Sequence, residues 1–217
     1  SGTDGIYVGS TSDSGIYITN AGYDGVTSNT SYPYGYGFAT NDRIYAGDGY
    51  YPSKSGVFAK NDGSDMLEPG DLVSISGGVS QNLFSESDVI VHVEKTSETN
   101  KESVIGVVES RAFIDTRLSE TLDSEPEIRR SIRLTDGEIE PGDYLAVTVF
   151  GPAAVKVEPG SEINPGNSLA VSDSGKTRPA ISQTINGITL TENTGLIGKA
   201  LEKPQDSDRV LVFMNCR

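Results

Sequence analysis

Few residue types in this chain can carry chemistry. Among 217 residues there is one His, His92, and one Cys, Cys216. A zinc site, or a Ser-His or Cys-His nucleophile pair, draws on several such residues, and the sequence does not supply them. His92 sits in the apolar run Val89-Ile90-Val91-His92-Val93, where the plain reading is an outward or half-buried polar residue of a strand. Cys216, next to last, reads by default as part of a frayed end, with an interchain thiol contact as the sharper alternative. The 31 Asp and Glu residues are scattered, and no pair presents itself for glycosidic acid–base work. Asn61-Asp62-Gly63-Ser64-Asp65 alternates oxygen donors around a Gly but lacks the downstream bidentate acid of a Ca²⁺ loop, so it reads as a polar hinge. Arg129, Arg130 and Arg133 are the one basic cluster and read as an ion-pairing face. No catalytic residue, metal ligand or cofactor is assigned.

What the chain carries repeatedly is turn chemistry. Leu67-Glu68-Pro69-Gly70-Asp71-Leu72-Val73 is echoed by Ile139-Glu140-Pro141-Gly142-Asp143-Tyr144-Leu145 and by Ile163-Asn164-Pro165-Gly166-Asn167-Ser168-Leu169. Pro presets φ at the first central position and Gly accepts φ > 0 at the second, which specifies a type II turn feeding the alternating strand that follows. Asp71 and Asp143 are placed to bond nearby backbone N–H groups. A second element recurs as Val104-Ile105-Gly106-Val107-Val108 and Leu196-Ile197-Gly198-Lys199-Ala200, and Arg209 to Met214 is a closing apolar strand. Residues 61–217 therefore read as an all-β, barrel-like or sandwich-like head, open to a reading as two related halves. Thr116 to Arg133, charged and interrupted by Pro126, is the one segment open to a short helix.

Upstream, the alphabet changes. Nine of the ten Tyr lie in the first 51 residues, while the first Leu is Leu67 and the first Glu is Glu68. Gly5-Ile6-Tyr7-Val8 recurs as Gly15-Ile16-Tyr17-Ile18 and, more loosely, down to Gly56-Val57-Phe58-Ala59. A unit of about ten residues cannot fold alone and must stack on its neighbours or on other chains. Residues 1–60 accordingly read as a short β-helical or interwoven repeat shaft. Its aromatics, among them Tyr32, Tyr34, Tyr36, Tyr50 and Tyr51, suit either stacked ladders or a glycan-facing surface.

Composition bounds the partners. The formal charge of −14 argues against nucleic acid and against an anionic membrane surface, since both need Lys and Arg. No run approaches the ~18 apolar residues of a spanning helix, so membrane insertion is not expected. Gly and Pro, at 25 and 10 residues, favour turn-rich β structure. The opening Ser1-Gly2-Thr3 reads as the start of a processed or excised piece.

The order of these motifs, from Asn61 to Val73, then Val104 to Val108, Gly151-Pro152-Ala153-Ala154-Val155-Lys156-Val157, Asn164 to Asn167 and Ile197 to Glu202, resembles a known domain type. It is similar to the β-rich C-terminal head found on phage tail-fibre and neck-appendage proteins and on repeat-bearing bacterial surface proteins. The resemblance implies a fibre protein on a virion or cell surface, outside the cell, whose head trimerises, registers or caps a β-repeat shaft. It implies a homo-oligomer, expected to be a trimer, with a host-surface glycan as a further candidate partner. Some such heads are chaperones that cut themselves from the fibre; without a nucleophile–base pair that activity does not carry over, and no enzyme is expected. Three rivals stand beside this reading: a carbohydrate-binding module, an autoproteolytic fibre chaperone and the protomer of an open extracellular filament.

Overall fold

The computed structural model describes residues 54–81, 89–119, 127–204 and 208–216. The upstream repeats and Tyr32, Tyr34, Tyr36, Tyr50 and Tyr51 lie outside the described residues. The strands are β1 (Ser55–Asn61), β2 (Leu72–Gln81), β3 (Val89–Lys95), β4 (Val104–Ser119), β5 (Glu127–Thr135) and β6 (Tyr144–Lys156). They continue with β7 (Ser168–Val171), β8 (Thr177–Pro179), β9 (Ser182–Ile185), β10 (Ile188–Thr191), β11 (Leu196–Ala200) and β12 (Arg209–Asn215). Among the described residues there is no α-helix, only a single 3-10 turn at Lys101–Ser103. The chain is all-β in these residues, as its composition and turn signals lead one to expect.

Ten strands form one mixed sheet in the order β5-β4-β2-β3-β1-β6-β12-β11-β7-β8. β4 also pairs with β6, from Val107 opposite Thr148 to Ala112 opposite Tyr144, and this closes β4-β2-β3-β1-β6 into a ring. At the other end an isolated parallel bridge between Val157 and Thr177 returns β8 to the end of β6. β6 serves both parts: its first half pairs with β1 and β4, its second with β12. The changeover falls at Gly151, whose φ of 100° favours a residue without Cβ, and at Pro152, which has no N–H to give a ladder.

Two apolar clusters fill these parts. Ala59, Leu67, Val73, Val93, Val108, Ile139, Leu145 and Val147 form the first. The second takes Leu72, Val104 and Val107 together with Val155, Leu169, Ile197, Val210, Val212 and Met214. Neighbouring residues divide between them: Leu72 goes one way and Val73 the other, as do Val107 and Val108. Successive side chains of a strand point to opposite faces, so β2 at Leu72-Val73 and β4 at Val107-Val108 are buried on both sides. That is why adjacent apolar residues stand there in place of an alternation.

Two expectations change. Where the segment open to a short helix is described, at 116–119 and 127–133, it is strand instead, in the antiparallel β4–β5 pair that sets Ala112 opposite Leu134, Ile114 opposite Ile132 and Leu118 opposite Ile128. At Ala112 and Ile114 apolar residues match across the ladder, and that cross-strand agreement outweighs the charged local composition. Gly56-Val57-Phe58-Ala59, read as the last loose repeat, lies in β1, parallel to β3 and antiparallel to β6. Among the described residues the sheet therefore begins at Ser55, upstream of the change in composition.

Candidate functional site

The Pro-Gly turns share one geometry. Gly70, Gly142 and Gly166 have φ of 94°, 91° and 84°. In each turn the N–H of the last residue bonds the carbonyl of the first: Asp71 to Glu68 at 3.0 Å, Asp143 to Glu140 at 3.0 Å, Asn167 to Asn164 at 3.0 Å. The side chain then answers: the Glu68 N–H donates to Asp71 Oδ2 at 2.9 Å, Glu140 N–H to Asp143 Oδ2 at 3.0 Å, and Asn164 N–H to Asn167 Oδ1 at 2.8 Å. Each turn is docked on a strand by the same pair of bonds. The Gly N–H donates to Val108, Asn61 or Ala200, and the N–H of that residue donates back to the carbonyl of Asp71, Asp143 or Asn167.

Two of these docking strands carry the Ile-Gly element. A Cβ at Gly106 would lie 2.4 Å from the Thr148 carbonyl oxygen of β6, and one at Gly198 would lie 2.0 Å from that of Phe213 on β12. In both places glycine permits close approach of the adjacent backbone.

The surroundings of the turns differ. Asp71 is 4% exposed and pairs with Lys156 Nζ at 2.8 Å and Lys95 Nζ at 3.4 Å. Lys156 also reaches Glu68 at 2.7 Å. Burial pulls the Lys156 pKa down, but its bonds to Asp71 and Glu68 outweigh that and hold it above its ordinary value. A lysine held charged in this way is not a general base. Asp143 is more open and pairs with Arg111 at 2.8 Å, whose guanidinium also lies over the Phe113 ring. Asn167, neutral, keeps only the turn's own bonds among those described.

Beside the first turn, a pocket of about 250 Å³ is lined by Lys54, Pro69, Glu109, Thr148, Arg209 and neighbouring residues. Glu109 accepts from Lys54 and, at 2.8 Å, from the Thr148 hydroxyl. Burial pushes its carboxyl up, and those two bonds bring it below its ordinary value. The arrangement is an internally satisfied staple.

The remaining candidates serve structure. His92 accepts or donates at Nε2 to Ser80 Oγ at 2.7 Å, and its Nδ1 lies 3.6 Å from Asp62. Asn61 is fully buried; its amide donates to the carbonyls of Asp65 and Ile139, and its Oδ1 accepts from Gly63 N–H. The Asn61–Asp65 segment is thus a loop locked into the sheet, correcting the hinge reading. Cys216 is packed against the second cluster rather than frayed, and burial pushes its thiol up to about 11. Arg129 and Arg130 stand on β5 opposite Arg117 and Thr116, and Arg133 is exposed on the same strand. Among the described residues no group of His, Cys, Asp and Glu is placed to hold a metal ion.

Two features went unread in the sequence. Glu158-Pro159-Gly160-Ser161 is a fourth Pro-Gly turn, with Gly160 at φ 81° and the Ser161 N–H bonded to Glu158. β9 and β10 form a separate two-stranded sheet joined by Asn186-Gly187, both at positive φ. Asn-Gly between alternating apolar residues is a strong hairpin signal, and it was present in Ile185-Asn186-Gly187-Ile188.

No protein-family model and no curated protein matches the chain. Among solved structures the chain is similar to the N base of head fiber gp8.5 of bacteriophage phi29, with a TM-score of 0.36 and 15% sequence identity over 74% of this chain and 95% of that one. At that score and identity the likeness does not transfer function.

Proposed function

We propose that this chain is a structural fibre protein on a virion or cell surface, in which the repeats upstream of β1 form a shaft and the head that follows trimerises, registers and caps it. The observation that carries this reading is how the head uses its charges. Lys156, Lys95, Asp71 and Glu68 bind one another. So do Arg111 and Asp143, Arg178 and Glu192, and Lys54 and Glu109. Paired in this way, these groups tie strands of the head to one another. A head with two cores is suited to bring chains into register, whereas a ten-residue repeat with unpaired edges needs other chains to satisfy it. The excess of negative charge keeps an edge-rich chain soluble.

Light scattering on the full chain tests the reading. A mass three times that of the 23.0 kDa chain is expected. A single-chain mass would remove the trimer, and a spread of large species would favour the open filament.

A further inference from the structure

The β9–β10 hairpin ends in the chain's single Asn-Gly pair, Asn186-Gly187. Its register sets Ile188 opposite Ile185, so these two residues alone make the turn, at φ of 52° and 80°. Positive φ at both positions is the type I′ connection. Both residues are exposed, and a Cβ built on Gly187 would meet no atom within 4 Å. Among the described residues no hydrogen bond holds the Asn186 side-chain amide or the Gly187 N–H. A glycine after Asn leaves its own backbone nitrogen unobstructed beside that amide. The hairpin is clamped at one end only. At the base Arg178 grips Glu192 through two bonds of 2.5 and 3.1 Å, and the Glu192 N–H bonds the Ile181 carbonyl. Toward the tip the side chains add only hydroxyl pairs, Ser182 to Thr191 at 2.9 Å and Thr184 to Thr189 at 3.1 Å.

We infer that Asn186 is a site of spontaneous covalent modification, at which the folded chain converts asparagine to aspartate and isoaspartate. The Gly187 backbone nitrogen attacks Asn186 Cγ. A bond forms between them, the bond from Cγ to Nδ2 breaks, and Nδ2 leaves as ammonia, taking up the proton that the Gly187 nitrogen gives away. Water then opens the five-membered ring. Breaking the nitrogen's bond to Cγ gives aspartate; breaking its bond to the main-chain carbonyl carbon gives isoaspartate. One water is consumed, one ammonia is released, and nothing is oxidised or reduced. Closing the ring needs Asn186 in extended backbone, which the type I′ turn does not allow, so the tip must open first. Opening costs little here. β9 and β10 form a separate two-stranded sheet, every residue of both strands is exposed, and such a sheet is marginal in water. The change is then self-reinforcing. Residues 181–191 hold no Asp, Glu, Lys or Arg, so either product brings the first charge to this strip. Isoaspartate also lengthens the turn by one backbone atom, which breaks the pairing of Ile185 with Ile188. The inference is independent of the trimer proposed above.

Incubation of the full chain at neutral and at mildly alkaline pH, followed by peptide mass mapping with isoaspartate read by electron-transfer fragmentation, tests this. Conversion at Asn186 is expected, faster at alkaline pH because the attacking nitrogen must lose its proton. Asn193 is the internal comparison, exposed as well but followed by the β-branched Thr194. Asn186 should convert roughly tenfold faster or more, since only its neighbour lacks a Cβ. Equal rates at the two sites, or an unchanged Asn186, would overturn the inference. The opening step has its own test in a Thr184→Cys and Thr189→Cys variant with Cys216→Ser, whose two new thiols face each other across the strands next to the turn. The oxidised form should convert roughly tenfold more slowly or less than the same variant reduced, because the disulfide holds the tip closed. Equal rates in the two forms would overturn the requirement for opening.

Discussion

The turns at Pro69-Gly70-Asp71 and Pro165-Gly166-Asn167 have the same backbone, the same reciprocal side-chain bond and the same docking bonds, yet they stand in different settings. Gly70 and Asp71 are buried, and Asp71 meets two lysines. Pro165 and Gly166 are exposed, and Asn167 brings no charge. The turn at Pro141-Gly142-Asp143 lies between them, exposed at Gly142 but paired through Arg111. Local geometry therefore comes with the motif, while the electrostatic load comes from what packs around it.

The sharpest way to separate the two turns is to remove the answering side chain from each. Asp71→Ala would leave Lys156 with Glu68 alone and take the partner from Lys95 and the Glu68 N–H, and breaking a buried ion pair costs about 3 kcal/mol or more. Asn167→Ala deletes one hydrogen bond at an exposed turn and should cost about 1 kcal/mol. Urea unfolding of the two variants measures the gap. Equal losses would mean that the lysines around Asp71 add nothing.

A smaller effect should be common to all three turns. Replacing Gly70, Gly142 or Gly166 by Ala forces a Cβ into left-handed backbone, at about 1–2 kcal/mol each. No atom lies within 4 Å of a Cβ at Gly142 or Gly166, and at Gly70 the nearest are the Arg209 guanidinium at 3.1 Å and Lys156 Cγ at 3.4 Å, side-chain atoms and not backbone. Thermal melting of the three variants should thus give similar shifts. A much larger loss at Gly70 would show that the buried turn is also sterically tighter.

The smallest expected difference is in pH dependence. The native pKa of Lys156 is raised above its ordinary 10.5, so its stabilisation is present below 10.5 and disappears as pH rises through the native value. Glu109 and Glu192 are lowered from 4.5, so theirs is present above 4.5 and disappears as pH falls through the native values. Lys156→Met should flatten the alkaline loss while leaving the acid limb unchanged. Alkaline profiles that superimpose for the two proteins would mean that the charge on Lys156 is not linked to folding.

The Pro-Gly turns were legible in the sequence because a type II turn is decided by two adjacent residues. The Asx side chain that answers is only three positions from its donor. The Ile-Gly strands were legible as a repeat, but not their reason, since the carbonyls of Thr148 and Phe213 that exclude a Cβ lie on strands far along the chain. The β4–β5 pair escaped for a similar cause: Ile114 and Ile132 agree only once they are set opposite each other. Gly56-Val57-Phe58-Ala59 shows the limit from the other side. A short alternating strand states its two faces but not its partner, and here the partners are β3 and β6.

Composition, turn dipeptides and alternation were enough to determine an all-β head with strands launched from Pro-Gly turns, because those signals act within a few residues. Tertiary structure decided that β4 meets β6, that β6 crosses from one core to the other and that Asp71 is the turn residue placed beside Lys95 and Lys156. It also decided that Ile181, Ile185, Ile188 and Leu190 of the β9–β10 hairpin are exposed. Each of these depends on which strands lie side by side, and pairing over such separations is selected by the closing of the whole sheet.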